Sequence, residues 1–349
     1  MFKFVTFRLS KKYPVYNWFY YKEGFSPQLI DWVLKDVNKN IEHIYDPFCG
    51  VGTTLLRAKE LNIPAIGRDI SPLAWTVSYS KTRTYNKNEL NYIENWLSNL
   101  TYNKPSITIN TPFYNIAKLF PPRNLDELLF LRQEIDEINN ERIKSFLLTA
   151  LLSIIPSISF LLKDGGVIKI DKKKRTFRTK DMFKRKVKYM LKTAHTRGIE
   201  QKIFMEDSLN KIEPTDIIIT SPPYLNNISY AKIYGIELSI LSESARVVDI
   251  IKGEEIRSFI KRNVENIQEA YFEDMEQSIR AAYESVRYAA YYVVSNSIIN
   301  NEHIMVDERL KEISESIGFK TSIIPMLFRR TNIKGHSFNI RESIVKMKK

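Results

Sequence analysis

Tyr45-Asp46-Pro47-Phe48-Cys49-Gly50-Val51-Gly52-Thr53-Thr54 closes a short apolar run and opens a helical one, LLRAKELN. A Gly-x-Gly turn between a strand and a helix lets the backbone approach a bound cofactor at the carboxyl end of the strand, because neither glycine puts a Cβ in the gap. No lysine follows, so this is not a Walker loop, and the third glycine of the dinucleotide fingerprint is missing. A tight structural turn is the other reading of the same glycines. About 20 residues on, at the end of the next apolar run, Asp69 is placed to accept from ribose hydroxyls, or to start a helix ahead of Ser71-Pro72. Cys49 has no histidine near it in sequence and reads as a small buried packing residue.

On either side of this turn, residues 43–49, 64–70, 202–207, 216–221, 289–297, 318–329 and 343–347 read as strands, and residues 26–37, 53–61, 258–286 and 307–316 as helices. Strands alternating with helices predict an α/β fold with a mainly parallel sheet. Residues 81–201 read instead as helices (88–100, 125–139, 142–162 and 179–195) plus a basic segment. A crossover between parallel strands needs only one helix, so 81–201 is expected to be a domain inserted into a body made of 1–80 and 202–349. The uncharged run SFLLTALLSIIPSISFLL, residues 145–162, approaches the length of a membrane span. Thr149, Pro156 and several serines make it a buried helix, or a helix pair broken near the proline.

The chain has 349 residues, 44% of them apolar, enough to bury a substantial core and to exclude disordered or collagen-like classes. Its single cysteine excludes internal disulfides and cysteine-rich zinc sites. Lys3, Arg8, Lys11 and Lys12 break up the N-terminus, so no signal peptide is expected there and the compartment reads as cytoplasmic. The net charge of +13 points to a polyanion. Residues 163–202 hold 15 Lys and Arg against four Asp and Glu, so the excess sits in one segment. There Lys172, Lys173, Lys174, Arg175, Arg178, Lys184, Arg185 and Lys186 alternate with Phe177, Phe183 and Tyr189, a pattern suited to binding phosphates. A solvated helix face or a flexible basic loop has the same composition. Residues 329–337 form a second, shorter basic stretch that reads as a phosphate-binding loop or a solvated turn.

Thr220-Ser221-Pro222-Pro223-Tyr224 ends the run DIIIT, at the carboxyl edge shared with the glycine turn. Two prolines stiffen the backbone and remove two donors, leaving carbonyls free to accept. Ser221 adds a side-chain oxygen and Tyr224 an aromatic face, a set suited to a planar amino group on a heteroaromatic base. A proline-rich loop closing a strand is the plainer alternative. Tyr230, Tyr234 and Glu237, on a helical stretch just downstream, read equally as pocket walls or as core.

DPFCGVGTT followed by TSPPY resembles the S-adenosylmethionine-dependent DNA amino-methyltransferases, the N4-cytosine and N6-adenine group. Serine at the first catalytic position resembles the N4-cytosine members. The resemblance covers the chain before about residue 80 and after about residue 200. It implies a Rossmann-like seven-stranded methyltransferase sheet carrying a largely helical, basic insertion. It also implies that Asp46, Phe48, Gly50, Gly52 and Thr53 line the methionine end of the cofactor, that Asp69 holds the ribose and that Asp207 holds the adenine. The segment WFYYKEGFSP, with Phe25 and Ser26, resembles the motif that closes over the methionine. Ser221, Pro222, Pro223 and Tyr224 would form the catalytic site, with Tyr224 stacking on a base flipped out of double-stranded DNA. The four histidines and single cysteine offer no metal cluster, and transfer from a sulfonium needs none. Such an enzyme would be cytoplasmic and nucleoid-associated, part of a restriction–modification or other self-marking system, with a cognate restriction endonuclease as a partner. N6-adenine methylation, RNA base methylation and nonenzymatic nucleic-acid binding are the competing functions.

Overall fold

Ile217, Ile218 and Ile219 are fully buried, as expected for a strand covered on both faces by helices. Ile217 and Ile219 pack with Leu29, Val33 and Leu55 on one side, and Ile218 packs with Met275, Ile279 and Leu310 on the other. This period of two fixes the layering. The computed structural model describes residues 3–109, 115–164, 167–209, 213–225, 230–242, 267–333 and 336–349.

The strands are β1 (Ile44–Asp46), β2 (Ala65–Arg68), β3 (Leu161–Asp164), β4 (Val167–Ile170), β5 (Lys202–Phe204), β6 (Thr215–Thr220), β7 (Val286–Ser295), β8 (Ser297–Ile299), β9 (Glu302–Ile304), β10 (Lys320–Ile333) and β11 (His336–Lys348). Seven form one sheet in the order β10-β11-β7-β6-β1-β2-β5. β5, β2, β1, β6 and β7 run parallel, and β11 and β10 close one edge antiparallel. All seven strands read from the sequence are in it, giving the Rossmann-like α/β architecture.

The helices are α1 (Gln28–Val37), α2 (Thr53–Glu60), α3 (Pro72–Thr82), α4 (Lys87–Asn99), α5 (Pro122–Asp136), α6 (Glu141–Ile158), α7 (Thr179–Thr193), α8 (Tyr230–Ile233), α9 (Gly235–Ser242), α10 (Ile267–Ser285) and α11 (Val306–Ile317). The helix read over 258–286 is α10 from Ile267 onward, and 258–266 lie outside the described residues. From β1 the chain winds one way through β2 to β5, and from β6 the other way through β7. The switch point, where crevices form in open α/β sheets, therefore lies between β1 and β6.

The middle of the chain bears out one reading and adds to others. α6 is one buried, unbroken helix, the first of its two expected forms: Pro156 sits in its last turn, and the strand β3 follows. No described helix is long and apolar enough to cross a membrane. The basic segment contains the β3–β4 hairpin, which no reading gave, and the helix offered as an alternative at Ser71-Pro72 is α3, which starts on a Ser71 cap with Pro72 in its first turn. Phe146, Leu151 and Phe183, from within 81–201, share a buried cluster with Trp18, Val51, Leu73 and Tyr234 from outside it.

Candidate active site

Asp46 ends β1 and is buried. It accepts from Thr220 Oγ1 at the end of β6 (2.7 Å) and from the Phe48 amide (3.2 Å). These bonds draw the glycine turn and the TSPPY loop to the same edge of the sheet. Burial pushes the Asp46 carboxyl up to about 6 against those two donors. Gly50 and Gly52 both have left-handed backbone, φ 49° and 78°. A Cβ on Gly52 would lie 2.7 Å from Ser78 Cβ, so α2 and α3 approach too closely there for any side chain. Cys49 is buried against Gly67, as its packing role predicts.

Asp69, ending β2, organises the turn. It accepts from the Gly50 amide (2.9 Å) and, through its other oxygen, from the Ser71 amide (2.9 Å), which leads into α3. The cap of α3 is Ser71 itself, with Asp69 one step behind it, and burial raises the Asp69 carboxyl to about 6. Behind the turn, the buried Lys81 ammonium donates to the Val51 carbonyl (3.3 Å), and burial pushes its pKa down to about 7. Nothing along the chain marks this lysine, whose cationic character would place it on a surface.

A cleft of about 1030 Å³, counted with its open mouth, lies over this edge. Of the residues expected to hold a cofactor, Phe25, Phe48, Gly50, Thr53, Asp69 and Asp207 line it. Asp46, Gly52 and Ser26 stand outside its lining; Ser26 is buried and bonds the Thr6 carbonyl (2.5 Å), fixing the segment that leads into α1. Asp207 takes the Leu209 amide (3.0 Å).

Ser221 and Pro223 reach the same cleft, whereas Pro222 and Tyr224 do not line it. Tyr224 shares a side-chain hydrogen bond with Ser221 and lies near Glu342 and Arg329, and burial raises its phenol above the usual range. Besides Phe25 and Phe48, the aromatic side chains on the cleft are Tyr21, Tyr230 and Tyr234. Tyr21 stacks on Tyr234 at 5.0 Å and 16°, and on Tyr230 at 6.5 Å and 19°. The Tyr234 hydroxyl donates to Glu23 Oε2 (2.6 Å), and Lys163 Nζ lies 4.4 Å from the Tyr234 ring centroid. Lys163 comes from β3 and pairs with the buried Glu237 (2.5 Å). Tyr230 and Tyr234 are thus pocket walls, and Glu237 stands behind them. Tyr21 and Glu23 lie within the quoted WFYYKEGFSP segment, but nothing in the sequence brings them opposite α8.

The basic segment divides. Lys172, Lys173, Arg175, Lys184 and Arg185 are exposed. Arg178 pairs with Glu127 (2.8 Å), Lys174 donates to the carbonyls of Leu161 (2.5 Å) and Pro156, and Lys186 donates to the Asn17 carbonyl (3.2 Å). Burial pushes Lys186 down to about 8. These three cations hold structure together rather than stand free for phosphate, a distinction a charge count cannot make. Of the shorter basic stretch, Lys334 and Gly335 lie outside the described residues. Among the described residues, no group of three or more His, Cys, Asp or Glu is placed to hold a metal ion.

No family model matches the chain. Among known proteins, it is 27% identical over 321 residues to the type II methyltransferase M.AvaI of Nostoc sp. (strain PCC 7120), covering 80% of this chain and 64% of that protein. The chain thus spans less than two thirds of that relative's length. It is 24% identical over 370 residues to the type II methyltransferase M.BsoBI of Geobacillus stearothermophilus, covering 89% of this chain and 72% of the relative. Over a shorter stretch of 73 residues it is 40% identical to the type II methyltransferase M.MjaII of Methanocaldococcus jannaschii, covering 21% of this chain and 14% of that one. Among solved structures, it overlays on magnesium protoporphyrin IX methyltransferase from Synechocystis PCC 6803 with a TM-score of 0.31 and 9% identity, covering 91% of this chain and 78% of that one. With TehB from Haemophilus influenzae the TM-score is 0.35 at 9% identity, covering 99% and 66%.

Proposed function

We propose that this chain is a DNA methyltransferase that uses S-adenosylmethionine to methylate the exocyclic N4 amino group of a flipped-out cytosine. One observation carries the reading: Ser221 and the glycine turn, more than 160 residues apart in sequence, open into one cleft at the switch point of the sheet. The similarity to type II methyltransferases supports it.

The cleft fits the cofactor. Gly50, without a side chain, keeps the turn that lines it open, and Asp69 and Asp207 offer acceptors for sugar hydroxyls and an amino group. Bound there, S-adenosylmethionine supplies a methyl group on a sulfonium sulfur. The chain's own work is to prepare the nucleophile. An exocyclic amino nitrogen is conjugated with its ring and is a weak nucleophile. Ser221 Oγ and the Pro222 carbonyl, accepting its two N–H groups, favour a pyramidal nitrogen whose lone pair points away from the ring. Tyr21, Tyr230 and Tyr234 give the base faces to lie against. Lys172, Lys173, Arg175, Lys184 and Arg185, all exposed, hold the phosphates of double-stranded DNA.

The same proposal places the protein in the cytoplasm on DNA, within a restriction–modification or similar self-marking system, with a cognate endonuclease as partner. Its test is digestion of DNA treated with protein and cofactor, followed by mass identification of the modified nucleoside. N4-methylcytosine supports the proposal. N6-methyladenine alone overturns the choice of base, and methyl transfer to RNA but not to duplex DNA overturns the substrate.

A further inference from the structure

We propose that Glu23 takes the proton that the target amino group must release when it is methylated. This rests on the function proposed above. As the methyl group arrives, the amino lone pair becomes the new N–C bond, and the C–S bond pair stays with sulfur. The nitrogen is left with two hydrogens and a positive charge. One N–H bond then breaks, its electron pair returns to nitrogen, and the proton has to find a base. Neither the Ser221 hydroxyl nor the Pro222 carbonyl oxygen is basic enough to hold a proton near neutral pH, so the residues that orient the amino group cannot remove its proton.

The cleft that Ser221 lines holds three carboxylates, Glu23, Asp69 and Asp207. Asp69, which also takes the two amides that shape the glycine turn, and Asp207, which takes the Leu209 amide, are the acceptors the proposed function gives to the cofactor. Glu23 takes a hydrogen bond from its own backbone amide and one from the Tyr234 hydroxyl at 2.6 Å, and Tyr234 lines the cleft with it. Burial raises the Glu23 carboxyl above its ordinary value, which makes its carboxylate a stronger base. The charged and titratable groups facing it are Lys22 and Tyr21 from its own segment, Tyr230 and Tyr234 from the α8 stretch, and Lys163 from β3, itself paired with Glu237. Lys163 and Lys22 draw the carboxyl back toward the ionised form that accepting a proton requires.

The test is single-turnover methylation of duplex DNA across pH, paired with cofactor binding by calorimetry without DNA. Glu23→Gln is expected to slow the single turnover by about 100-fold or more and to flatten the acidic limb of the profile, with cofactor affinity kept within about threefold. Tyr234→Phe removes a donor to the carboxylate and is expected to move that limb to higher pH. NMR of the protein carrying ¹³C-carboxyl glutamate is expected to lose, in Glu23→Gln, a resonance titrating with the same midpoint as the limb. A Glu23→Gln protein within threefold of wild type, one that keeps the acidic limb, or one whose rate loss only mirrors lost cofactor affinity overturns the proposal. So does an unmoved limb in Tyr234→Phe, which keeps the test alive should Glu23→Gln not fold. Wild-type protein that methylates no DNA overturns the parent reading as well, whereas active wild type with an unimpaired variant overturns this one alone.

Discussion

Asp46 is a carboxylate whose burial works against its charge. Its folded pKa of about 6 lies above the ordinary aspartate value of about 3.9. Its contribution to stability is therefore fully present below the ordinary value and is lost as pH rises through about 6. Asp46→Asn cannot ionise and keeps an acceptor for Thr220 and Phe48, so without cofactor it is expected to gain on wild type by up to about 2 kcal/mol between pH 4 and 7. Thermal unfolding of the two proteins across that range measures the difference; a gap that does not widen with pH contradicts it. The cleft residues divide by a kinetic criterion. Ser221→Ala is expected to lower turnover by about 100-fold with little change in cofactor affinity, because its bond matters at the reacting nitrogen. Asp69→Ala is expected to do the reverse, since it holds Gly50 and, on the proposed function, would take the sugar hydroxyls. Equal effects on both parameters, from initial rates and calorimetry, would remove the division of roles.

Among the elements, the stretch from α4 to α7 is tied to the sheet by ion pairs as well as by core. Glu200, just before β5, accepts from Arg83 Nη1 (3.1 Å), Arg142 Nη2 (3.0 Å) and the Thr84 amide (3.0 Å). Against the burial penalty, which would raise it, these donors hold the Glu200 carboxyl below its usual range. That stability is present above the ordinary glutamate value and is lost as pH falls through the lowered one. Glu200→Gln is expected to cost about 1–2 kcal/mol at pH 7 and nothing in strong acid; denaturant unfolding at both pH values measures it, and an equal cost at both would point to packing instead. Helix ends were readable where a cap marks them: Asn86 and Glu89 form a complete capping box, and α4 begins within one residue of its expected start. The start of α3 was legible at Ser71-Pro72 but its course was not, because its apolar residues are spread around the helix rather than along one face. Thr76, Ser78 and Lys81 are buried beside Leu73 and Val77, so no amphipathic period exists to be read.

For the whole molecule, the distribution of charge makes a quantitative forecast about DNA. Replacing Lys172, Lys173, Arg175 and Lys184 by Gln is expected to flatten log affinity against log salt by about 0.9 for each phosphate no longer neutralised. Lys174→Gln and Lys186→Gln are expected to lower thermal stability and leave that slope alone. Fluorescence anisotropy with labelled duplex across a salt series separates the two groups, and equal slopes in all the proteins would remove this segment from DNA binding. Seven strands, their alternation with helices and the two strand-end motifs follow from the amino acids alone, because burial on both faces, glycine turns and paired prolines are local constraints that leave local marks. Which charged groups face the cleft and which brace the frame was settled only by packing in three dimensions. Lys81, Lys174 and Lys186 turn inward, and Tyr234, not Tyr224, lines the cleft. Glu23 meets Tyr234 from more than 200 residues away. Such partners are set by how the helices pack across the sheet, and burial and pairing between distant segments have no period along the chain.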